Sequence, residues 1–584
     1  MLAMPETTHT CTNAAVLDPP MLATEAAMMP HLGMEGPISI LGSAPWPDEP
    51  WWRRLAPSTL YVLLSAAVAI FFLAHELAIA GHLGFPLIES WVRVAYAKNF
   101  FHHLAFEYAS GESSPAPTSP FWIVVLSLAV NLFRDPIVAG KLLGTIFLFL
   151  TGYYSFRLLR ALELDYGTSL IAGIFMVTSS ALAWAELSGL ESTLSTALIV
   201  GALWWHFSHP GKVPEWLHFF VAGAILALGT LTRPEIALIF AIIATWQFVE
   251  DDQYKFWHAF MLVVGFVLVL GPVAITNYTV SGAFVPSTFR SAIGHDSIIR
   301  AIWHGNGAAI TMSVLHAFVG ILATLRDVYL SSNPVWTLAI VLAVASRFRR
   351  RITEGDAADP LFSLSVFVLI AYPYLHTLLI GDADGFGASA RLAHFLIPIY
   401  TLAGILSIRI LARRELFRSI HPKAMLLWAA LILGVLGTLD IALFSSADSP
   451  MGTGVTMGLL LFFLLVLLYA GLRRTGLSIL KVEQRHEVTE AERLETHFSF
   501  HDDAEFDPRL SKPAVSILRA TLLVLLAWNL ATLPRAANDF ALHVKRTNQA
   551  ITKDQGTLTF PNLELNSKQG CWSFLSSSGS SYLH

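Results

Sequence analysis

Seven ionisable side chains crowd into one stretch, FPLIESWVRVAYAKNFFHHLAFEYASGESSPAPTSP (85–120): Glu89, Arg93, Lys98, His102, His103, Glu107 and Glu112. A carboxylate can take a proton from a hydroxyl, and arginine or lysine can hold an anion such as a phosphate. Only 14% of the chain is charged. Polar groups kept beside a membrane span are costly there, so such a cluster marks a working surface. More charges follow downstream: Glu186 and Glu191 in AELSGLESTL (185–194), Arg233 and Glu235 in LTRPE (231–235), Arg290 in NYTVSGAFVPSTFRSA (277–292), and Arg391 with His394 in RLAHFLIPIY (391–400).

Each of these residues also has a purely structural reading. Glu89 fits the start of an interfacial helix, where a carboxylate is favoured, and Glu191 after Gly189 fits the same description. Arg93 and Lys98 can snorkel to headgroups. Arg233 and Glu235 flank Pro234 between two short apolar runs, where a tight turn is expected, and Arg233 has Glu186 or Glu191 as ion-pair partners. Arg391 and His394 share a helical face at spacing three. Adjacent histidines on a helix point about 100° apart, so His102 and His103 read as interfacial side chains rather than ligands of one metal ion.

The elements that must position these groups are membrane helices. The chain has 584 residues, 54% of them hydrophobic, and a mean hydropathy of +0.58. A soluble fold cannot hide that much apolar surface. The apolar runs lie at 59–81, 138–156, 168–184, 191–208, 217–232, 235–250, 256–276, 333–346, 360–380, 391–411, 423–446, 454–472 and 515–533. The expectation is an all-α polytopic bundle of about thirteen transmembrane helices. A net charge of −5 argues against a nucleic-acid partner. Two cysteines, Cys11 and Cys571, make neither a disulfide framework nor a thiolate metal site.

Basic residues set the orientation. They collect at Arg53/Arg54, Arg157/Arg160, Arg347/Arg349/Arg350/Arg351, Arg409/Arg413/Arg414/Arg418 and Arg473/Arg474, and such clusters stay cytoplasmic. All five fall on one side if the runs 121–133 and 308–325 do not cross. The N-terminus is then inside, the C-terminus outside, and the loops 82–137, 277–332 and 381–390 face outside. The expected organisation is a disordered cytoplasmic tail (1–56), a transmembrane core (57–473) with outer loop 82–137, a charged cytoplasmic loop (474–513), a last transmembrane helix (514–534) and a short outer tail (535–584). Interfacial helices are expected near 90–107 and 120–132.

Five pieces, in order over residues 59–411, resemble the GT-C superfamily of integral-membrane glycosyltransferases, in particular its arabinofuranosyl- and mannosyltransferase-like members. FPLIESWVRVAYAKN and ESSPAPTSPFW are similar to a first outer loop of the form FPLDDAWIH…YARNL…SSG…TSPLW. LSGLEST resembles SGMET, and LTRPE resembles LTRPEG, with Ile236 in place of Gly. PSTFRSA resembles a P-x-TF-x-A-K segment, and RLAHFLIPIY resembles GRYLMPLIP. The resemblance implies transfer of a sugar from a polyprenyl-phosphate carrier to a glycan, lipid or protein acceptor outside the cell membrane.

In that family an aspartate of the first outer loop serves as base. Its two acidic positions fall here on Ile88 and Glu89, so Glu89 is the catalytic candidate. The substrate-binding candidates are Arg93, Lys98, Glu191, Arg233, Glu235, Arg290, Arg391 and His394. Some members use a divalent metal, but no ligand spacing here demands one. Two other classes stay open. A transporter or flippase of lipid-linked sugars would carry polar residues along helix centres, where only a few such as Lys141 and Asp440 occur. A catalytically inactive partner would follow from the loss of the first acid at position 88.

Overall fold

A computed structural model of the chain describes residues 51–104, 106–107, 119–208, 213–250, 255–282, 284, 297–330, 332–349, 359–381, 393–413 and 512–553. The N-terminal tail, Glu112, Arg290, Arg391, the apolar runs 423–446 and 454–472, and nearly all of the charged loop 474–513 lie outside these residues. Helices dominate throughout, and the described residues contain no β-strand. The chain is an all-α, polytopic membrane bundle.

The helices are α1 (Trp51–Ala80), α2 (Ile88–His103), α3 (Pro120–Phe133), α4 (Pro136–Ala161), α5 (Tyr166–Val177), α6 (Ser180–Leu187), α7 (Ser192–Ser208), α8 (Glu215–Thr232), α9 (Ile236–Glu250), α10 (Lys255–Ser281), α11 (Ile298–Trp303), α12 (Gly307–Thr324), α13 (Pro334–Arg349), α14 (Asp359–Ile380), α15 (Leu396–Arg413) and α16 (Lys512–Lys553). A π-helical turn, Leu325–Leu330, follows α12, and a 3₁₀ turn, Ala393–Phe395, precedes α15. Among the described residues, five segments are long and apolar enough to cross a membrane: Ala56–Ala80, Pro136–Ala161, Glu215–Thr232, Phe256–Thr279 and Asp359–Ile380. The pair α5 and α6, bent by 50°, makes a sixth if counted as one span.

That bend breaks the run expected as one helix over 168–184. It falls at Thr178 and Ser179, where the Thr178 hydroxyl donates back to the carbonyl of Ile174 (2.9 Å) and Ser179 is extended. Short hydroxyl side chains offer the backbone an alternative to the helical ladder. The two expected interfacial segments do form helices, α2 and α3.

The bundle has two chemically different ends. At one, Arg409 at the end of α15 donates to the carbonyl of Leu162 after α4 (3.1 Å). Asp165, capping α5, accepts from Thr168 N–H (2.9 Å) and from Arg519 of α16 (2.7 Å). Arg157 and Arg160 sit on the last turns of α4, and α1 begins at this end, with Tyr61 bonded to the carbonyl of Leu170 on α5 (3.1 Å). Arg157, Arg160, Arg409 and Arg519 therefore gather at the end of the bundle where α1 and α16 start.

At the other end lie the start of α2, the α6–α7 turn, the α8–α9 turn and the 3₁₀ turn before α15. α16 also arrives there, because it does not stop at 534. Pro534 is accommodated inside the helix, and an apolar stripe continues through Leu533, Ala537, Phe540, Ala541 and Val544, all buried. The segment read as the start of a polar tail is helix as far as Lys553. Its Thr547 hydroxyl donates to the carbonyl of Pro86 (2.7 Å), and Asn548 meets His82.

Candidate functional site

The site is assembled from helix ends. α2 starts with Ile88 and carries Glu89 in its first turn, favoured there by the partial positive charge of the helix N-terminus. Ile88 and Glu89 are both exposed. Arg93, four residues on, projects from the same side of α2. The opposite side of the helix, through Trp91, Val94 and Ala95, is buried. Ser90 is buried too, and its hydroxyl donates to the carbonyl of Ser188 (2.7 Å). This bond docks the start of α2 on the α6–α7 turn.

That turn is Ser188-Gly189-Leu190-Glu191. Gly189 has φ +80°, and a Cβ there would stand 2.5 Å from the ring of Phe85. Only glycine meets both conditions. The turn delivers Glu191 to the N-terminal end of α7, where a carboxylate is again favoured. Glu191 Oε2 accepts from Arg93 Nε at 3.3 Å.

The α8–α9 turn supplies the second arginine. Arg233 precedes Pro234 and takes the extended backbone that a following proline imposes (φ −144°, ψ 116°). Its own N–H still closes the last turn of α8 on Gly229 (2.9 Å). Pro234, which lacks an N–H, stands where a new helix needs none, and α9 begins at Ile236. Arg233 is buried at 4% exposure, and its Nη2 pairs with Glu235 Oε1 at 3.3 Å. Burial alone would lower the Arg233 pKa, but Glu235, Glu191 and Tyr372 together raise it. Burial alone would raise the Glu235 carboxyl, but Arg233 and His376 outweigh it and hold it below its ordinary value.

The charges thus alternate in a row: Glu235 pairs with Arg233, Arg233 feels Glu191, Glu191 pairs with Arg93, and Glu89 lies one turn along α2. Aromatic groups wall the inner part. The Arg233 guanidinium lies 5.6 Å from the centroid of Phe395, and Phe395 meets Tyr372 at 5.3 Å. His394 faces Trp184 at 6.3 Å, and Trp184 also meets Phe540 and His543 of α16.

Of the residues singled out from the sequence, Arg93, Glu191, Arg233 and Glu235 come together, with Glu89 on the Arg93 side and His394 beside the aromatic wall. His394 belongs to the 3₁₀ turn rather than to the α-helix expected over 391–411. Lys98 lies further along α2. Burial lowers its pKa, against a smaller opposing pull from the carboxylate of Asp135 at the α3–α4 junction. His103 pairs with Glu107 at 2.8 Å. Among the described residues, no group of three or more His, Cys, Asp or Glu side chains is placed to hold a metal ion.

Sequence reasoning missed Tyr372 and His376, one turn apart on α14, and the contributions of Phe540 and His543. The signal for the first pair was the polar content of AYPYLHTLL inside an otherwise apolar run. For the second pair it was the apolar spacing that continues past Pro534.

No family model matches the chain, and no curated protein matches it. Among solved structures, the chain is similar to ArnT from Cupriavidus metallidurans bound to undecaprenyl phosphate. The two are 13% identical with a TM-score of 0.47, and the match covers 86% of this chain and 82% of that one. It is also similar to the Archaeoglobus fulgidus oligosaccharyltransferase in the apo form, at 12% identity and a TM-score of 0.45, covering 91% of this chain and 60% of that one. A third similar structure is the archaeal oligosaccharyltransferase AglB from Archaeoglobus fulgidus, in complex with an inhibitory peptide and a dolichol-phosphate. There the identity is 11% and the TM-score 0.37, over 63% of this chain and 52% of that one.

Proposed function

We propose that the chain is a membrane glycosyltransferase that moves a sugar from a polyprenyl-phosphate donor to an acceptor outside the cytoplasmic membrane. One observation carries this reading. Three separate connections bring Arg93, Glu191, Arg233 and Glu235 into one row at the end of the bundle away from Arg157, Arg160 and Arg409. Basic ends stay cytoplasmic, which supports an extracytoplasmic row at the cell membrane. Three of the motif resemblances, at FPLIESWVR, SGLES and LTRPE, fall on the same connections.

The geometry divides the roles. Arg93 shares a side of α2 with Glu89, and its bond to Glu191 is long for a charge-assisted hydrogen bond. A donor phosphate can take the place of Glu191 on Arg93. Arg233, clasped by Glu235, supplies fixed positive potential that Glu191 also feels. As the glycosyl–oxygen bond to the phosphate breaks, charge develops on the leaving group, and preorganised cations stabilise it. Glu89, exposed beside Arg93, takes the proton of the acceptor hydroxyl. The acceptor is a glycan, lipid or protein hydroxyl.

The test is transfer from polyprenyl-phosphate sugars by the purified chain and by Glu89→Gln. The variant is expected to fold normally and lose about two to four orders of magnitude in rate. Full activity in the variant reduces Glu89 to a helix-end charge. A second reading, a non-catalytic member of the fold, draws on Ile88, which is 38% exposed at the position of the first family acid. It gains if the unmodified chain transfers nothing from any lipid-linked donor.

A further inference from the structure

Behind the row of charges lies a second ion pair that the proposed reaction does not use. Glu76 of α1 and Lys141 of α4 meet at 2.8 Å with side chains 0% and 5% exposed. The other Glu76 oxygen, Oε1, accepts the backbone N–H of Gly84 in the loop leading to α2. Lys141 Nζ stands 5.7 Å from the centroid of Phe85 in that loop and 4.7 Å from that of Phe540 on α16. Phe85 in turn packs edge-on against Trp91 of α2 at 5.0 Å. Two charges buried this deeply are costly to keep, and an apolar pair of similar volume usually serves stability as well or better. The loop contact is what an apolar pair would not supply.

We infer that Glu76 is a positioning residue. Its Oε1, aimed by the bond from Lys141 to Oε2, fixes the loop 82–87 through Gly84 N–H, and with it the start of α2 that carries Glu89 and Arg93. This inference rests on the proposed reaction for its consequence in rate, but not for its structural content. Losing the hold lets α2 drift while the bundle stays folded. Drift of about 1 Å at a reacting group lowers rate by about a hundredfold, with little effect on groundstate binding.

Two double variants of the full chain isolate the acceptor oxygen. Glu76→Leu/Lys141→Met removes both charges and the acceptor. Glu76→Gln/Lys141→Met removes the charges and keeps an acceptor oxygen. Spin labels at Phe101→Cys on α2 and Ile370→Cys on α14, both exposed in the native chain, read the placement of α2 in nanodiscs. Cys11 and Cys571 are replaced by serine for this purpose. The Leu/Met variant is expected to melt with the native protein, to broaden the label distance, and to lose about a hundredfold in kcat at unchanged KM. The Gln/Met variant is expected to keep the native distance and rate. A narrow native distance in the Leu/Met variant overturns the inference, because the pair is then only packing. Failure of that variant to fold also overturns it, because the pair then holds the bundle rather than the loop. Broadening in the Gln/Met variant equal to that in Leu/Met overturns the role of the acceptor oxygen. If the native chain shows no transfer at all, the proposed reaction fails while the distance measurements still decide this point.

Discussion

Arg93 is 15% exposed and Arg233 only 4%, and this difference separates the effects expected of them. Arg93→Gln is expected to fold normally and to lower kcat by about two to three orders of magnitude, since in the proposed reaction Arg93 meets the developing charge. Arg233→Gln leaves Glu235 and Glu191 without their shared cation inside the protein, so lower yield and a lower melting temperature are expected alongside lost activity. Glu235 adds a pH signature. Its folded pKa is held below its ordinary value of about 4.5. The stability it contributes is therefore complete above that value and is lost as pH falls through the lower folded pKa. Thermal melts of the native chain and Glu235→Gln should converge in acid and diverge toward neutral pH. Parallel curves at every pH would remove the linkage. Arg93, Glu191, Arg233 and Glu235 were legible in the sequence because charge is conspicuous in an apolar chain and because SGLE and TRPE carry their own turn geometry. Tyr372 and His376 were not. Their polar atoms lie along one side of an apolar helix, and only tertiary packing shows that this side faces Glu235.

At the scale of elements, the turns follow from local chemistry: Gly189 at positive φ, Arg233 extended before Pro234, and the hydroxyl break at Thr178–Ser179. Gly189→Ala combines an unfavourable backbone with a clash on Phe85 and should cost about 1–3 kcal/mol, measured as a shift in melting temperature. α16 is the element whose extent the sequence concealed. A proline after an apolar run reads as a stop, yet Pro534 is passed over because burial of the stripe beyond it offsets one missing hydrogen bond. Phe540, fully buried against Phe72 and Trp184, anchors that extension. Phe540→Ala should cost about 3–5 kcal/mol. It should also speed proteolysis within 535–553, and an unchanged digestion pattern would separate the extension from the fold.

At the scale of the whole molecule, the orientation can be tested directly. A cysteine replacing Glu112 is expected to react with an impermeant reagent from outside, and one replacing Arg350 is not; the reverse pattern inverts the bundle. Thr547 and Pro86, joined by a hydrogen bond, are 461 residues apart in the chain. The loop between α1 and α2 is therefore held in place by a helix made long after it. During synthesis α2 meets the α6–α7 turn early, but the far wall made by Phe540 and His543 arrives only with α16. A growing chain passes through the membrane with its future site open on one side, and that site waits for α16.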